Sequence, residues 1–363
     1  MRHHKTWNFD SQPIPIQCRM ANPLPAGDPD VAAREHVRAI TRAAGSSFYW
    51  GMRILPEQRR DAMFAVYAFC REVDDVADGD APLDEKRAGL QRWRRDIDAL
   101  YSTTAPAPTK PTLRALWLAI NRYRLDKQDF FEIIAGMEMD TDGSMLVPDC
   151  ERLQLYCDRV AGAVGLLSIK IFGDSGESAR AFALSLGTAL QLTNILRDLK
   201  DDAAMGRLYL PREQFEQRGV AIGTPDDMLS HPKLPEICGP VAERAREKFS
   251  EAEAMLARAD TRALKPAIVM MMNYRRILDR LIARRWQNLD DDAGLSKPEK
   301  LWITLRYGVM SPIYVSVRCS RTARLMPRRV AAPLFQRQTK RQGGVSGRLD
   351  SQTGRRRRGR RHN

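Results

Sequence analysis

The sequence predicts an all-α protein, a single bundle of helices, and three observations carry that prediction. Apolar residues recur at three and four positions along most of the chain, and turn-rich stretches interrupt the pattern at intervals. Neither an alternating strand pattern nor a repeat of solenoid period is visible. The first helical segment lies near 31–44. The second, 56–78, opens at Pro56 and shows its period in Met63, Val66, Tyr67, Cys70 and Val73, with Gly79 and Pro82 as its stop. A third covers 83–101. Past the turn-rich STTAPAPTKP of 102–111 come 111–122 and 127–139, and TDGSMLVPD at 141–149 separates these from 149–172 and 176–205. After AIGTPDD at 221–227, the helix formers of 240–258, 263–288 and 297–307 complete the set.

Composition narrows the class of protein. Of the 363 residues 43% are apolar, without a long uncharged run, which suits a large globular core. The patch AIVMMM at 267–272 is far shorter than the roughly 20 residues a membrane helix needs. Cysteines at 18, 70, 150, 157, 238 and 319 form no CxxC, so a reduced, cytoplasmic setting is expected, with Cys70 and Cys157 as packing thiols. Histidines at 3, 4, 36, 231 and 362 are too dispersed for a zinc site or a His-based triad. The net charge of +14 is localised: residues 309–363 hold 15 of the 59 Lys and Arg and one of the 45 acids, leaving 44 of each in 1–308. Three regions are therefore expected. Residues 1–30 form a Pro-rich extension in which prolines 13, 15, 23, 25 and 29 prevent a helix and no apolar run marks a secretory signal. Residues 31–308 form the enzyme-like domain, and 309–363 a basic, disordered tail. Phosphate neutralisation would let that tail contact RNA or an anionic membrane surface, or it has no selected role.

The informative feature is CREVDDVADGD at 70–80, with Glu72, Asp74, Asp75, Asp78 and Asp80 crowding a helix C-terminus. That end of the macrodipole is already negative and prefers cations, and Asp74 and Asp78 repel one another across a turn. A solvated acidic face with Arg71 as partner would explain one such run. The pattern recurs, however, in QLTNILRDLKDDAAMG at 191–206, where Gln191, Asn194, Asp198 and Asp202 share one helix face. Two carboxylate ladders without compensating basic ladders, facing across a cavity, need cations between them. Carboxylate oxygens suit Mg²⁺, which prefers a few carboxylates together with waters and substrate phosphates.

SSFYWGMRILPEQRRDAMFAVYAFCREVDDVADGD (46–80), YCDRVAGAVG (156–165) and GTALQLTNILRDLKDDAAMGRLYLP (187–211) together resemble the squalene and phytoene synthase family of head-to-head prenyl transferases. SSFYW, YAFCREVDDVAD and KLWITLRYG look most like its bacterial branch making presqualene diphosphate for hopanoids. The resemblance implies an isoprenoid-synthase-like bundle with a central substrate cavity. It also implies condensation of two farnesyl diphosphates to presqualene diphosphate, with phytoene, dehydrosqualene or squalene synthase as alternatives. An RNA- or membrane-binding protein acting through the basic tail is the reading from another class.

Roles follow position by position from the resemblance. Asp74, Asp75 and Asp78 match the first metal-binding motif, and Asp198 and Asp202 the second, with Asn194 beside them. Mg²⁺ is the implied ion, with Mn²⁺ as a substitute, and NADPH is not expected for the presqualene step. Arg71, Gln191, Arg197, Arg207 and Tyr209 are candidates for diphosphate contact, and Ser47, Phe48, Tyr67 and Tyr274 for the substrate wall. Tyr67 or the leaving diphosphate would take the proton lost on ring closure. Gly162 and Val164 lie in VAGAVG, where Gly162 and Gly165 cost the helix about 1 kcal/mol each. Such glycines imply close approach, of a prenyl chain or of another helix. Expected partners are farnesyl diphosphate, downstream squalene or hopanoid enzymes and a peripheral membrane contact, with no specific nucleic acid.

Overall fold

Helix α1 (Pro29–Ala43) begins at a residue read above as a barrier to helix formation. Pro29 occupies the first helical position, where its missing N–H would have no partner in any case, and Asp28 Oδ1 accepts the Asp30 N–H at 2.9 Å. The expectation for prolines is thus corrected at this one position. The structure is a computed structural model that describes residues 28–44, 47–290 and 293–309. Apart from 28–30 and 309, the expected Pro-rich extension and basic tail lie outside the described residues.

The chain continues through α2 (Ser47–Arg53), α3 (Glu57–Asp78), α4 (Leu83–Leu100), α5 (Pro111–Tyr123) and α6 (Lys127–Thr141). Asp149 caps α7 (Cys150–Cys157), which runs through a π turn at Asp158–Gly162 into α8 (Ala163–Phe172). Then come α9 (Glu177–Arg197), α10 (Leu199–Ala204), α11 (Arg212–Glu216), α12 (Pro225–Leu229), α13 (Leu234–Leu256) and α14 (Lys265–Arg284). A Ser296–Glu299 capping box starts α15 (Lys297–Ile303), which passes into a π segment, Thr304–Val309. Among the described residues the only extended pairing is a parallel bridge between Leu146 and Leu208.

Helix α9 is the axis of the bundle. Every residue from Leu186 to Leu196 is buried, so the helix presents no face to solvent there. It packs against α13, α8, α14 and the π turn, while α3 packs against α1, α5, α6 and α8. Glycine lets α9 touch the π turn and α8 backbone to backbone. A Cβ on Gly187 would sit 2.8 Å from the Ala161 carbonyl oxygen, and one on Gly165 would sit 2.9 Å from that of Ala183. Close approach of a helix, the second possibility above, holds at Gly165, whereas a Cβ on Gly162 would meet the Leu184 side chain at 3.2 Å.

Several boundaries differ from the sequence expectation. The segment 176–205 is broken at Asp198 (φ −102°, ψ 16°), where the Trp286 indole donates to the Leu196 carbonyl at 3.0 Å. Helix α13 begins six residues before Pro240, which lies inside it. Pro240 forfeits one backbone bond there, offset by burial of Leu234, Ile237 and Cys238. Helices α2, α11 and α12 span 7, 5 and 5 residues, too short to hold without tertiary packing.

Candidate active site

Two acids of the run at the end of α3, Asp74 and Asp78, are buried rather than solvated. Asp74 is fully enclosed and Asp78 and Arg71 are buried, while Glu72 and Asp75 are partly exposed and Asp80 is exposed. Arg71 approaches Asp75 at 3.1 Å and Asp74 at 3.8 Å. Arg207 Nη1 donates to Asp78 Oδ1 at 2.6 Å. The negative helix end receives further cations, since Lys86 Nζ donates to the Ala77 carbonyl at 2.8 Å.

The second run joins the first through Arg207. Its backbone N–H donates to the Asp202 carbonyl at 2.9 Å, across a turn in which Gly206 adopts φ 75°, while its side chain reaches Asp78. The Leu146–Leu208 bridge holds the following residues, with Val147 N–H donating to Leu208 O at 2.8 Å. The two acid motifs, 124 residues apart, thus stand within the span of one arginine. Arg197 grips Asp198 at two points, 2.8 and 2.7 Å, in a geometry that the break in the helix provides. Burial alone would lower the pKa of Arg197 and Arg207, and the neighbouring acids more than reverse that, so both guanidiniums stay charged. The expectation of carboxylate ladders without basic partners is therefore corrected: Arg71, Arg197 and Arg207 accompany them.

A buried carboxylate that sequence reasoning missed backs this cluster. Asp140, on α6, accepts the Tyr209 hydroxyl at 2.8 Å and the Tyr156 hydroxyl at 2.9 Å, and the two rings stack at 5.0 Å. Burial pushes its carboxyl up to about 6 against the pull of Arg207, and Asp78 pushes the same way. Burial also pushes both phenols far above their usual range. Tyr209, expected to touch substrate, instead holds Asp140. Tyr156, the first residue of the YCDRVAGAVG stretch, was the available signal, whereas Asp140 looked like an ordinary acid near a helix end.

Beside the acids lies an apolar cavity walled by α2, α3, α8, α9 and α14. Phe48, Met63, Val164, Leu186 and Met270 contribute to its lining. The polar side chains lining it are Gln191, Asn194 and Ser168, and the Ser168 hydroxyl is already donated to the Val164 carbonyl at 2.7 Å. Gln191 and Asn194 are also the first members of the stripe that continues to Asp198 and Asp202. Phe48 meets Tyr274 edge-on at 6.4 Å, and Tyr274, fully buried, lies within electrostatic reach of Arg197. Tyr67, half-buried, lies within electrostatic reach of Arg71 and Tyr274. Gly162 is elsewhere, its missing Cβ facing Leu184 at 3.2 Å. Ser47 opens α2, and its side chain lies outside the described residues. Cys70, Cys157 and Cys238 are buried, and burial pushes their thiols up, as packing thiols require.

The donor set suits a hard cation, although the six expected ligands do not form one cluster. Among the described residues no three His, Cys, Asp or Glu side chains converge as a metal site. The buried oxygens Asp78 Oδ2 and Asn194 Oδ1, however, accept no hydrogen bond. Such an arrangement fits Mg²⁺, which takes few protein oxygens and fills its shell with water and phosphate.

A sequence model described as squalene/phytoene synthase matches residues 41–299. The presqualene diphosphate synthase of Sinorhizobium fredii is 41% identical over 278 residues, 77% of this chain and 98% of its own length. That of Rhodopseudomonas palustris is 43% identical over 282 residues, with coverages of 78% and 98%. A solved dehydrosqualene synthase in complex with ligand superposes with a TM-score of 0.67 at 26% identity, over 77% of this chain and 98% of its own.

Proposed function

The chain belongs to the squalene/phytoene synthase family, and from that premise we propose that it joins two farnesyl diphosphates head to head into presqualene diphosphate. The observation that carries this reading is the continuity between the apolar cavity and the acid stripe. Gln191 and Asn194 line the cavity from the last turns of α9, and buried Asp198 and Asp202 follow, the first at the break that ends α9 and the second in α10. Such a site accepts a long hydrocarbon chain at one end and a diphosphate at the other.

The donor's C1–O bond breaks with its electron pair going to the diphosphate, leaving an allylic cation. Arg71, Arg197 and Arg207 lie buried among the acids, where fixed positive charge acts strongly on departing phosphate oxygens. Mg²⁺, or Mn²⁺ in its place, held by oxygens of Asp74, Asp78, Asn194, Asp198 and Asp202, would supply Lewis-acid neutralisation of the leaving group. The apolar lining keeps water from the cation, and the Phe48 ring offers it a negative face. C1 then bonds to the C2=C3 pair of the second chain, and loss of one proton from C1 closes a cyclopropane. Two C15 diphosphates become one C30 diphosphate, one free diphosphate and one proton. No hydride is transferred, so NADPH is not required for this step.

A second reading carries the intermediate further, to dehydrosqualene or squalene, and the likeness to a dehydrosqualene synthase favours keeping it in view. Product analysis separates the two. Incubation with farnesyl diphosphate and Mg²⁺, both without and with NADPH as hydride donor, should accumulate a cyclopropyl C30 diphosphate in each case. A C30 hydrocarbon as the sole product would support the second reading, and no consumption of farnesyl diphosphate would refute both.

A further inference from the structure

The last described segment carries an apolar surface for which the chemistry above has no use. Helix α15 and the π segment bury Lys300, Ile303, Thr304 and Gly308. Leu301, Trp302, Leu305 and Val309 are turned outward, 53%, 56%, 46% and 61% exposed. Their spacing of i, i+1, i+4 and i+8 places them on one face. Single exposed apolar side chains are ordinary, but four on one face, one of them Trp, form a patch that marks an interaction surface. The segment is firmly seated, since a Cβ on Gly308 would lie 3.0 Å from Ile54 and 3.3 Å from Val269. It packs on α2 and α14, which also supply Phe48 and Met270 to the cavity wall.

The unpaired charge around this face is basic, since the one acid of α15, Glu299, is paired with Arg280. Arg306 is exposed above the Tyr307 ring at 5.4 Å, and Lys297 is exposed at the start of α15. In the sequence immediately after Val309, residues 310–363 carry 15 Lys and Arg against one acid. We propose that this face docks onto an anionic phospholipid bilayer, with Trp302, Leu301 and Leu305 entering the headgroup boundary. An apolar helical face combined with a polybasic sequence satisfies the two requirements for reversible binding to such a surface. Trp is favoured at that depth because its ring is amphipathic. RNA would account for the basic sequence and would leave the exposed Leu and Trp unexplained. The reaction proposed above gives the surface a use, since its product is a lipid, but the surface stands on the residues named here.

Flotation of the full chain with phosphatidylcholine vesicles, with and without phosphatidylglycerol, tests this. The wild type should float with the phosphatidylglycerol vesicles and detach as salt is raised. Trp302→Ser combined with Leu305→Ser should lower the bound fraction about tenfold or more, Trp302→Phe should retain it, and turnover of detergent-dispersed farnesyl diphosphate should be unchanged in both. Absence of vesicle binding by the wild type, or equal binding by the double variant, would overturn the proposal. A dimer that the double variant dissociates, without vesicle binding, would assign the face to a second copy of the chain. Binding of an RNA homopolymer without vesicle binding would assign the basic sequence to nucleic acid, and would overturn the proposal likewise. Because flotation is read without turnover, its failure and failure of the catalytic reading are separate results.

Discussion

Asp140 shows how a side chain's role follows from what surrounds it. Held by two phenols and adjacent to Arg207, it is a positioning residue for the arginine that ties the acid motifs together. Its folded pKa, about 6, exceeds the unfolded value, so the folded protein binds that proton more readily. The buried charge therefore weighs against the fold at pH 7.5, and the weight is relieved as pH falls through about 6 towards 4. Asp140→Asn does not titrate at this position. Stability of the wild type relative to the variant should consequently rise by about 1 kcal/mol between pH 7.5 and 5, measured by denaturant unfolding. A difference independent of pH would contradict the assignment. Breaking the pair that Arg207 makes is the harsher change: Arg207→Met leaves Asp78 buried without its partner and should cost about 3–5 kcal/mol of stability.

Among the elements, α9 is joined to α8 and to the π turn before it by the absence of side chains. Gly187→Ala would place a methyl group 2.8 Å from the Ala161 carbonyl oxygen, on backbone that cannot rotate away. It should destabilise by about 1–3 kcal/mol and lower the melting temperature, whereas Gly239→Ala, with nothing near its Cβ, should not. How far the sequence could be read at this scale depends on what decides each element. Helices α3 and α9 were legible because period, stop residues and a shared polar face agree. The break at Asp198, the π turn and the early start of α13 were not, because the Trp286 indole, the Gly187 contact and the buried Leu234 come from distant parts of the chain. Helices α2, α11 and α12 are one or two turns long, below what local sequence can signal.

Across the whole molecule, the sequence disclosed which residues carry charge but not how the charges are matched. The acids of both motifs and the Gln191–Asp202 stripe could be read from spacing. Arg207 reaching Asp78 across 129 positions, and Tyr209 turning inward to Asp140, depend on the path of the loop after Gly206. We propose that the same path makes the two acid runs act as one site at the polar end of the cavity, and that unity is the central claim. A double-mutant cycle on diphosphate release tests it most directly, using Asp78→Asn, Asp198→Asn and both together, each checked for folding by circular dichroism. Each single change should slow release about 10²- to 10³-fold, and the pair should lose little more than either alone, because groups that act as a unit are not additive. Losses that multiply, or either single variant turning over at the wild-type rate, would contradict a single site built from both motifs.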